Sequence, residues 1–496
     1  VTDTVEIGNL RDQVAKGAGW IVAARFAIRV LGFVNTIVVA RLLAPEDFGL
    51  VAIGVTTMQL LQGFSDVGVS QAVIRFKDAD DRDLNTLFTL SAIRGVLVAT
   101  LLVAIAPLAA NFYDDPRVLG VFLGVALYPL VVGFINPKFF EFERNLDFTK
   151  DFIVTTINKL AGVAVSITIA FMFRTYWAII LGLVTGGIVQ LALSYIMRPY
   201  APRLTFTSFK KVIGFSGWVT GVSFFAALNN KLDALIVARF ASTEDAGNYY
   251  VGLQLSELPS TELASPIARA IYPGFSALQE QAGEMKRAFL HGVEAMGAIA
   301  LPAAFGFAFI AEDLVQLLLG DKWANASPVI KIIAPIMGFQ TLFVATQFYA
   351  MARDMTKFVF YREFFFFFLR APLLVWATIE HGLMGAVYAC AVMGIVHATL
   401  NLMLYARISG GSFFEPLWAA RRSLAAAVLM SAYFLVFRPH ISVLDDAPSA
   451  MRLLADAIAG AVVFIGGMLA MWRAEGKPNG VERSVLDIVK TKFGAA

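Results

Sequence analysis

The chain has 496 residues, 58% of them hydrophobic and 16% charged, with 40 Lys and Arg against 37 Asp and Glu. An average soluble domain carries about 25% charged residues, so this composition excludes a soluble globular protein and points to a membrane one. A formal charge of +3 says little by itself, since in a membrane protein the placement of charge carries the information; no nucleic-acid partner is expected.

Apolar runs of about 20 residues cross a bilayer as helices. Read against Pro, Gly and charge punctuation, they predict fourteen spans in an all-α chain, at about 17–43, 48–74, 84–110, 117–137, 151–173, 175–197, 212–240, 246–272, 288–311, 326–351, 357–379, 382–406, 418–437 and 452–472. The first run follows Asp3, Glu6, Arg11, Asp12 and Lys16, which is too long and interrupted for a signal peptide, so it is expected to remain as a span. Before span 3, Asp78, Asp80, Asp81 and Asp83 resemble a metal-binding acidic run. In a short loop with no catalytic domain they are expected to cap a helix. Lys138 to Phe152 mixes phenylalanines with charges and reads as an anchor at the membrane surface. Gly182 and Gly186 have the spacing that lets helices pack closely. The run Phe364 to Phe368 reads as a lipid-facing or packing surface. Cys390 is the one cysteine, which excludes an intramolecular disulfide, and His291, His381, His397 and His440 are scattered without ligand spacing. His397, within span 12, reads as a hydrogen-bonded core residue. No GxxxxGK[ST] loop occurs, so no ATP motor is expected, and no cofactor or metal is called for.

One stretch occurs twice. Gly19 to Gly49 matches Gly217 to Gly247 without a gap at nine positions, among them Trp20/Trp218, Arg41/Arg239, Glu46/Glu244 and Asp47/Asp245. The shift equals six spans, an even number, so the copies are expected to be parallel repeats about an axis along the membrane normal. The expected organisation is one lobe over 1–200, a second over 201–410, and spans 13 and 14 with a tail over 411–496. Arg198 to Lys211, with two prolines and four basic residues, reads as the link between lobes. Of the 40 basic residues, 25 fall in the termini and loops on the terminal side, seven on the other side and eight within spans. That bias predicts that both termini are cytoplasmic.

The segments ARLLAPEDFG (40–49), FSDVGVSQAVIR (64–75) and FERNLDFTK (142–150) resemble the polysaccharide transport family of bacterial flippases, the Wzx type, within the MOP superfamily. Fourteen spans in two six-helix lobes plus an extra pair match that family over the whole chain. The resemblance implies an inner-membrane secondary transporter with a cavity between the lobes that opens alternately to each side. Its cargo would be a polyprenyl-diphosphate-linked oligosaccharide, its coupling ion H+ or Na+, and polysaccharide polymerase machinery would stand beside it. Rival readings are a multidrug extruder of the MATE type and, in a different class, a membrane polysaccharide polymerase or ligase. The first would call for an acidic cavity, whereas here eight basic residues lie in spans against six carboxylates; the second would call for a large external loop, and here no external loop exceeds roughly 20 residues.

An ionised Arg or Lys at a helix centre costs about 2.5–3.5 kcal/mol on insertion scales. The eight within spans are Arg25, Arg29, Arg94, Lys159, Lys231, Arg269, Lys331 and Arg370, and they are the candidates for holding a diphosphate. Arg25 and Arg29 are four apart, on one helix face. The alternative for each cation is an ion pair with a neighbouring carboxylate, such as Asp66 for the first two. The carboxylates at apparent membrane depth are Asp66, Asp233, Glu257, Glu262, Glu294 and Glu363. A carboxylate desolvated there exchanges protons near physiological pH, which makes Asp66, Asp233, Glu257, Glu262 and Glu294 the ion-coupling candidates; a static ion pair is the competing reading. Lys231 and Asp233 lie on different faces of one helix. Divergence between the repeats, Arg25 and Arg29 against Ser223 and Ala227, and Asn35 against Asp233, marks where function is expected.

Overall fold

A computed structural model describes residues 28–64, 80–144, 148–209, 217–262, 281–353, 355–441, 447–478 and 480–483, and every regular element among them is helical. By packing the chain divides into two compact units, one up to Ala227 and one from Leu228.

The first unit contains α1 (28–42), α2 (Pro45–Phe64), α3 (Asp81–Phe112), α4 (Arg117–Val132), α5 (Phe148–Phe173) and α6 (Trp177–Met197). The corner between α1 and α2 is short because the Asp47 carboxylate accepts a hydrogen bond from the Ala44 amide at 3.1 Å. Glu46 and Asp47 then stand in the first turn of α2, where the helix dipole favours anions. Arg117, at the start of α4, closes the same end by reaching Glu46 at 2.5 Å and Asp115 at 2.7 Å. Asp80 caps α3, its carboxylate accepting from the amides of Arg82 and Asp83 at 3.0 and 2.9 Å, so this part of the acidic run does the work expected of a helix start. α5 lies along α6 with almost no room between them. A Cβ built on Gly162 would stand 2.7 Å from the Gly182 carbonyl oxygen, and one on Gly182 would stand 2.7 Å from Ser166 Cβ.

The segment 199–209 after α6 is not helical for most of its length, so its amides need other partners. They find them on one end of α3. The amides of Arg203, Thr205 and Ser208 donate to Asn85 Oδ1, Thr89 Oγ1 and Thr86 Oγ1 at 2.7, 2.9 and 3.2 Å. Beside it, Arg198 reaches Glu141 at 2.7 Å, and Lys138 sits over the Tyr200 ring. The aromatic and charged segment after α4 is thereby fastened to the segment after α6.

The second unit takes α7 (Gly217–Phe240) from Leu228 onward. It continues with α8 (Thr243–Glu257), α9 (Ala282–Phe309), α10 (Ala311–Leu318), α11 (Ala326–Thr341) and α12 (Ala345–Ala352). Then come α13 (Thr356–Ser409), α14 (Glu415–Ala419), α15 (Arg421–Ala432) and α16 (Ser449–Ala474). The α7–α8 corner repeats the first one. Ser242 caps α8 by accepting from the Asp245 amide at 2.9 Å, and Glu244 and Asp245 occupy the first turn. α13 has 54 residues, which at about 1.5 Å per residue is far longer than a hydrocarbon core of about 30 Å. It is two arms. Gly382, at φ 57° and ψ −141°, breaks it, a backbone that glycine adopts without a Cβ clash. Pairs that step inward toward Gly382, Arg362 with Asn401, then Glu363 with His397, then Arg370 with Cys390, show that the arms fold back antiparallel.

Eight helices among the described residues, α13 counted once, are long and apolar enough to cross a membrane. The chain is a multi-pass membrane protein. α15 and α16 are joined to the rest of their unit by ion pairs near both ends. Arg422 pairs with Glu294 of α9, and Arg452 pairs with Asp313 of α10 at 2.6 Å.

Candidate functional site

The second unit buries a charged network among α7, α8 and both arms of α13. Asp233 of α7 is 4% exposed. Its Oδ2 accepts from the Tyr249 hydroxyl at 2.9 Å and forms an ion pair with Arg370, whose guanidinium also donates to the Asn229 carbonyl. Cys390 Sγ lies 3.5 Å from the same carboxylate oxygen. Asn229 extends the network one turn along α7, donating to the Glu363 carbonyl at 3.1 Å and to its carboxylate at 2.9 Å. Glu363 is paired with Arg362, which in turn donates to Asn401, and His397 Nε2 stands 3.7 Å from Glu363. Each Arg here has a carboxylate. Asn229 Oδ1, Arg362 Nε and Arg370 Nε are buried there without a hydrogen-bond partner, but with each guanidinium matched to an acid the network leaves little net charge for an outside ligand.

The first unit places a cation differently. Lys159 of α5 rests against α1, its Nζ 3.5 Å from where a Cβ on Gly32 would sit. Glycine at this point lets the ammonium approach the helix axis. Farther along, Ile37, Val38, Arg41 and Leu42 share a cavity lining with Ile167, Thr168, Phe171 and Met172, so α1 and α5 run side by side in the same direction. Arg29 is one turn before Gly32 on α1, and Asn35 is one turn after it. Asn35 Oδ1 and, one turn before Lys159, Thr156 Oγ1 are buried without a hydrogen-bond partner. Lys159 makes no ion pair among the described residues. The seam therefore joins a lysine without an ion pair among the described residues to two buried polar atoms with unused hydrogen-bonding capacity.

The repeat explains the difference. Asn35 and Asp233 hold equivalent places in the duplicated stretch. In the second unit the acid at that place pairs with Arg370; in the first an amide stands there, and Lys159 has no ion pair among the described residues.

The remaining expected residues are dispersed. Arg94 of α3 donates to the Gln62 carbonyl at 3.2 Å. Lys231 is exposed on α7, away from buried Asp233 as their spacing predicts. Lys331 pairs with exposed Glu312 near the start of α11. Glu257 is exposed at the end of α8, and Glu262 ends the short segment Leu258–Glu262 that follows it. Glu294 pairs with Arg422, a residue 5% exposed that also lies 3.3 Å from Glu482. Arg25, Asp66 and Arg269 lie outside the described residues.

Reading by sequence missed Arg362 and Arg422, both at the edges of expected spans and counted with the terminal-side basic residues, and both buried in helices. It also missed Tyr249 and Cys390 as neighbours of Asp233. The signal for Arg362 was its adjacency to Glu363, an acid and a base entering one helix together. His397, expected to be a hydrogen-bonded core residue, is half-buried, 3.7 Å from Glu363 and packed on the Phe366 ring at 4.7 Å. The Phe364–Phe368 run is mixed: Phe366 is buried there, while Phe365 and Phe368 are exposed.

Known proteins share both the sequence and the fold. The lipopolysaccharide biosynthesis protein WzxC of Escherichia coli (strain K12) is 24% identical over 411 residues, 82% of this chain and 84% of that protein. The succinoglycan biosynthesis transport protein ExoT of Rhizobium meliloti (strain 1021) is 22% identical over 457 residues, 91% of this chain and 92% of that protein. Among solved structures, the lipid II flippase MurJ in an inward closed conformation superposes with a TM-score of 0.72 at 12% identity, over 91% of this chain and 98% of that one. Residues 38–328 match a family model described as polysaccharide biosynthesis protein, which is more than half of the 496 residues, and the chain belongs to that family.

Proposed function

We propose that the protein is a secondary transporter that flips polyprenyl-diphosphate-linked oligosaccharide units across the bacterial inner membrane for surface or exopolysaccharide assembly. Family membership and the transport and flippase names of its relatives support the activity. Fourteen spans in two six-span lobes with an added pair, both termini cytoplasmic, are the arrangement we infer, and alternating access of the lobes is the mechanism. Lys159, held against Gly32 one turn from Asn35 and without an ion pair among the described residues, is the observation that carries the cargo assignment. A diphosphate is the counter-ion this seam lacks, with Arg29 one turn away on the same face of α1. Asn35 Oδ1, an acceptor, suits a hydroxyl of the first sugar, and the Thr156 hydroxyl suits a diphosphate oxygen as donor. Arg370 belongs to a scaffold pair with Asp233 and is not part of the cargo site in this reading. H+ or Na+ coupling, if present, works through carboxylates other than those locked to Arg370, Arg422 and Arg362, and polysaccharide polymerase machinery receives the product.

The test is Asn35→Asp, which installs in the first unit the acid that the second already has. Flipping of lipid-linked units, measured as their appearance on the outer face in cells deleted for the native gene, is expected to fall at least tenfold while the protein stays inserted and at native abundance. Undiminished export by folded Asn35→Asp removes the seam from the cargo path.

A further inference from the structure

The α1–α5 seam does not end at Asn35. Beyond it, the two helices open into a cavity of about 520 Å³ lined by Ile37, Val38, Leu42, Ile167, Phe171 and Met172, with Thr168 and Arg41 as its polar members. That volume is in the range of ligand pockets, about 300–1,000 Å³. The lining residues recur at one-turn intervals on each helix, so the cavity is a groove along both axes, about 8 Å long at 1.5 Å per residue. Arg41 stands at the far end, in the last turn of α1, and α5 ends one residue after Met172. Phe171 and Met172 remain open, at 73% and 66% exposure. One seam thus carries a lysine and unpartnered polar atoms in one half, and an apolar groove ending at a guanidinium in the other.

We propose that this groove is a release station for the cargo in the outer leaflet, holding the first isoprene units of the polyprenyl chain while Arg41 holds the diphosphate. The assignment rests on the flippase reading. Charge and shape select the occupant. A lipid diphosphate on the side away from the termini has its phosphates at the depth of Arg41 and its chain directed toward the bilayer centre, along residues 42 to 37 and 172 to 167. Arg presents a forked, permanently charged donor set to phosphate oxygens, and the apolar lining gives a hydrocarbon chain close packing that fluid lipid does not provide. Cargo leaving Lys159 travels along the same pair of helices to reach it.

The experiment uses the full chain purified into phosphatidylcholine vesicles, with a diazirine-bearing farnesyl diphosphate as probe and mass spectrometry to map the labelled residues. Saturable labelling of 167–172 is expected, competed by unlabelled farnesyl diphosphate and not by farnesol or phosphatidylglycerol. Arg41→Gln is expected to lower labelling at least tenfold and Arg41→Lys to retain most of it; Thr168→Trp, which fills the groove, is expected to abolish it. Equal competition by farnesol or phosphatidylglycerol, or full labelling of Arg41→Gln, overturns the proposal. Flipping of lipid-linked units is measured on the same preparations. Flipping without groove labelling defeats the release station alone, and groove labelling without flipping defeats the transport reading alone.

Discussion

Lys159 and Arg370 are both basic, both within helices, and both beside the duplicated stretch, yet the structure gives them opposite surroundings. Arg370 has Asp233; Lys159 has Gly32 and a buried amide oxygen nearby. Charge in the membrane is costly, and evolution keeps it when it is paired or used. The pairing has a measurable consequence. Asp233→Asn leaves Arg370 buried with half its partner, and breaking a buried pair costs about 3–5 kcal/mol. Detergent-solubilised Asp233→Asn is expected to melt well below the parent, while Asp233→Asn combined with Arg370→Met recovers most of the loss because no charge is stranded. If the double variant is no better than the single one, Arg370 is not held by Asp233. At this scale the sequence named the residues and left two readings for each, since a helix face seen alone does not reveal what stands opposite.

Among the elements, the α5–α6 pair decides where Lys159 points. Gly182 and Gly186 were legible as a close-packing motif, and a Cβ on Gly186 would stand 3.3 Å from the Asn158 carbonyl oxygen. Their partners Gly162 and Ser166, on the other helix, carried no signal of their own, because the motif lies on α6 and α5 merely receives it. Gly182→Val must displace backbone at Gly162, and overpacking of this kind costs about 1–3 kcal/mol. It is expected to lower the melting temperature and also export, since α5 carries Lys159 away from Gly32. A Gly182→Val protein with native melting and native export contradicts the packing described. The break in α13 was legible too, as the gap between two apolar runs at about 379–382, because a run twice the bilayer thickness has to turn. That the two arms exchange Arg362, Glu363, Arg370 and His397 across the hairpin was not legible; it depends on the register of the turn at Gly382.

For the whole molecule, ion pairs outside the membrane make stability depend on pH. The hydrogen bond from Arg117 holds the Asp115 carboxyl below the ordinary carboxylate range, and the hydrogen bond from Lys286 does the same for Glu415. A carboxylate depressed in the folded state contributes stability that is full above its ordinary value, about 4, and is lost as pH falls through the lower folded value. The melting temperature is therefore expected to hold from neutral pH to about 5 and to drop below 4, and Asp115→Asn with Glu415→Gln should flatten that drop. An unchanged acid slope in the double variant refutes the assignment. Composition by itself determined that this chain lives in a membrane, because 58% hydrophobic residues in bilayer-length runs have no other solvent. The ungapped repeat determined that one helical corner is built twice, because Glu46 with Asp47 and Glu244 with Asp245 fall at the same helix start. Short motifs carried the family, since they record descent. Which cation is paired with an acid among the described residues and which is not was decided only by tertiary structure, because a charge takes its energy from atoms brought to it by other helices. Asn35 aligned with Asp233 was visible as a difference in two strings; that Lys159 stands one turn from it, without an ion pair among the described residues, became visible when α5 was laid against α1.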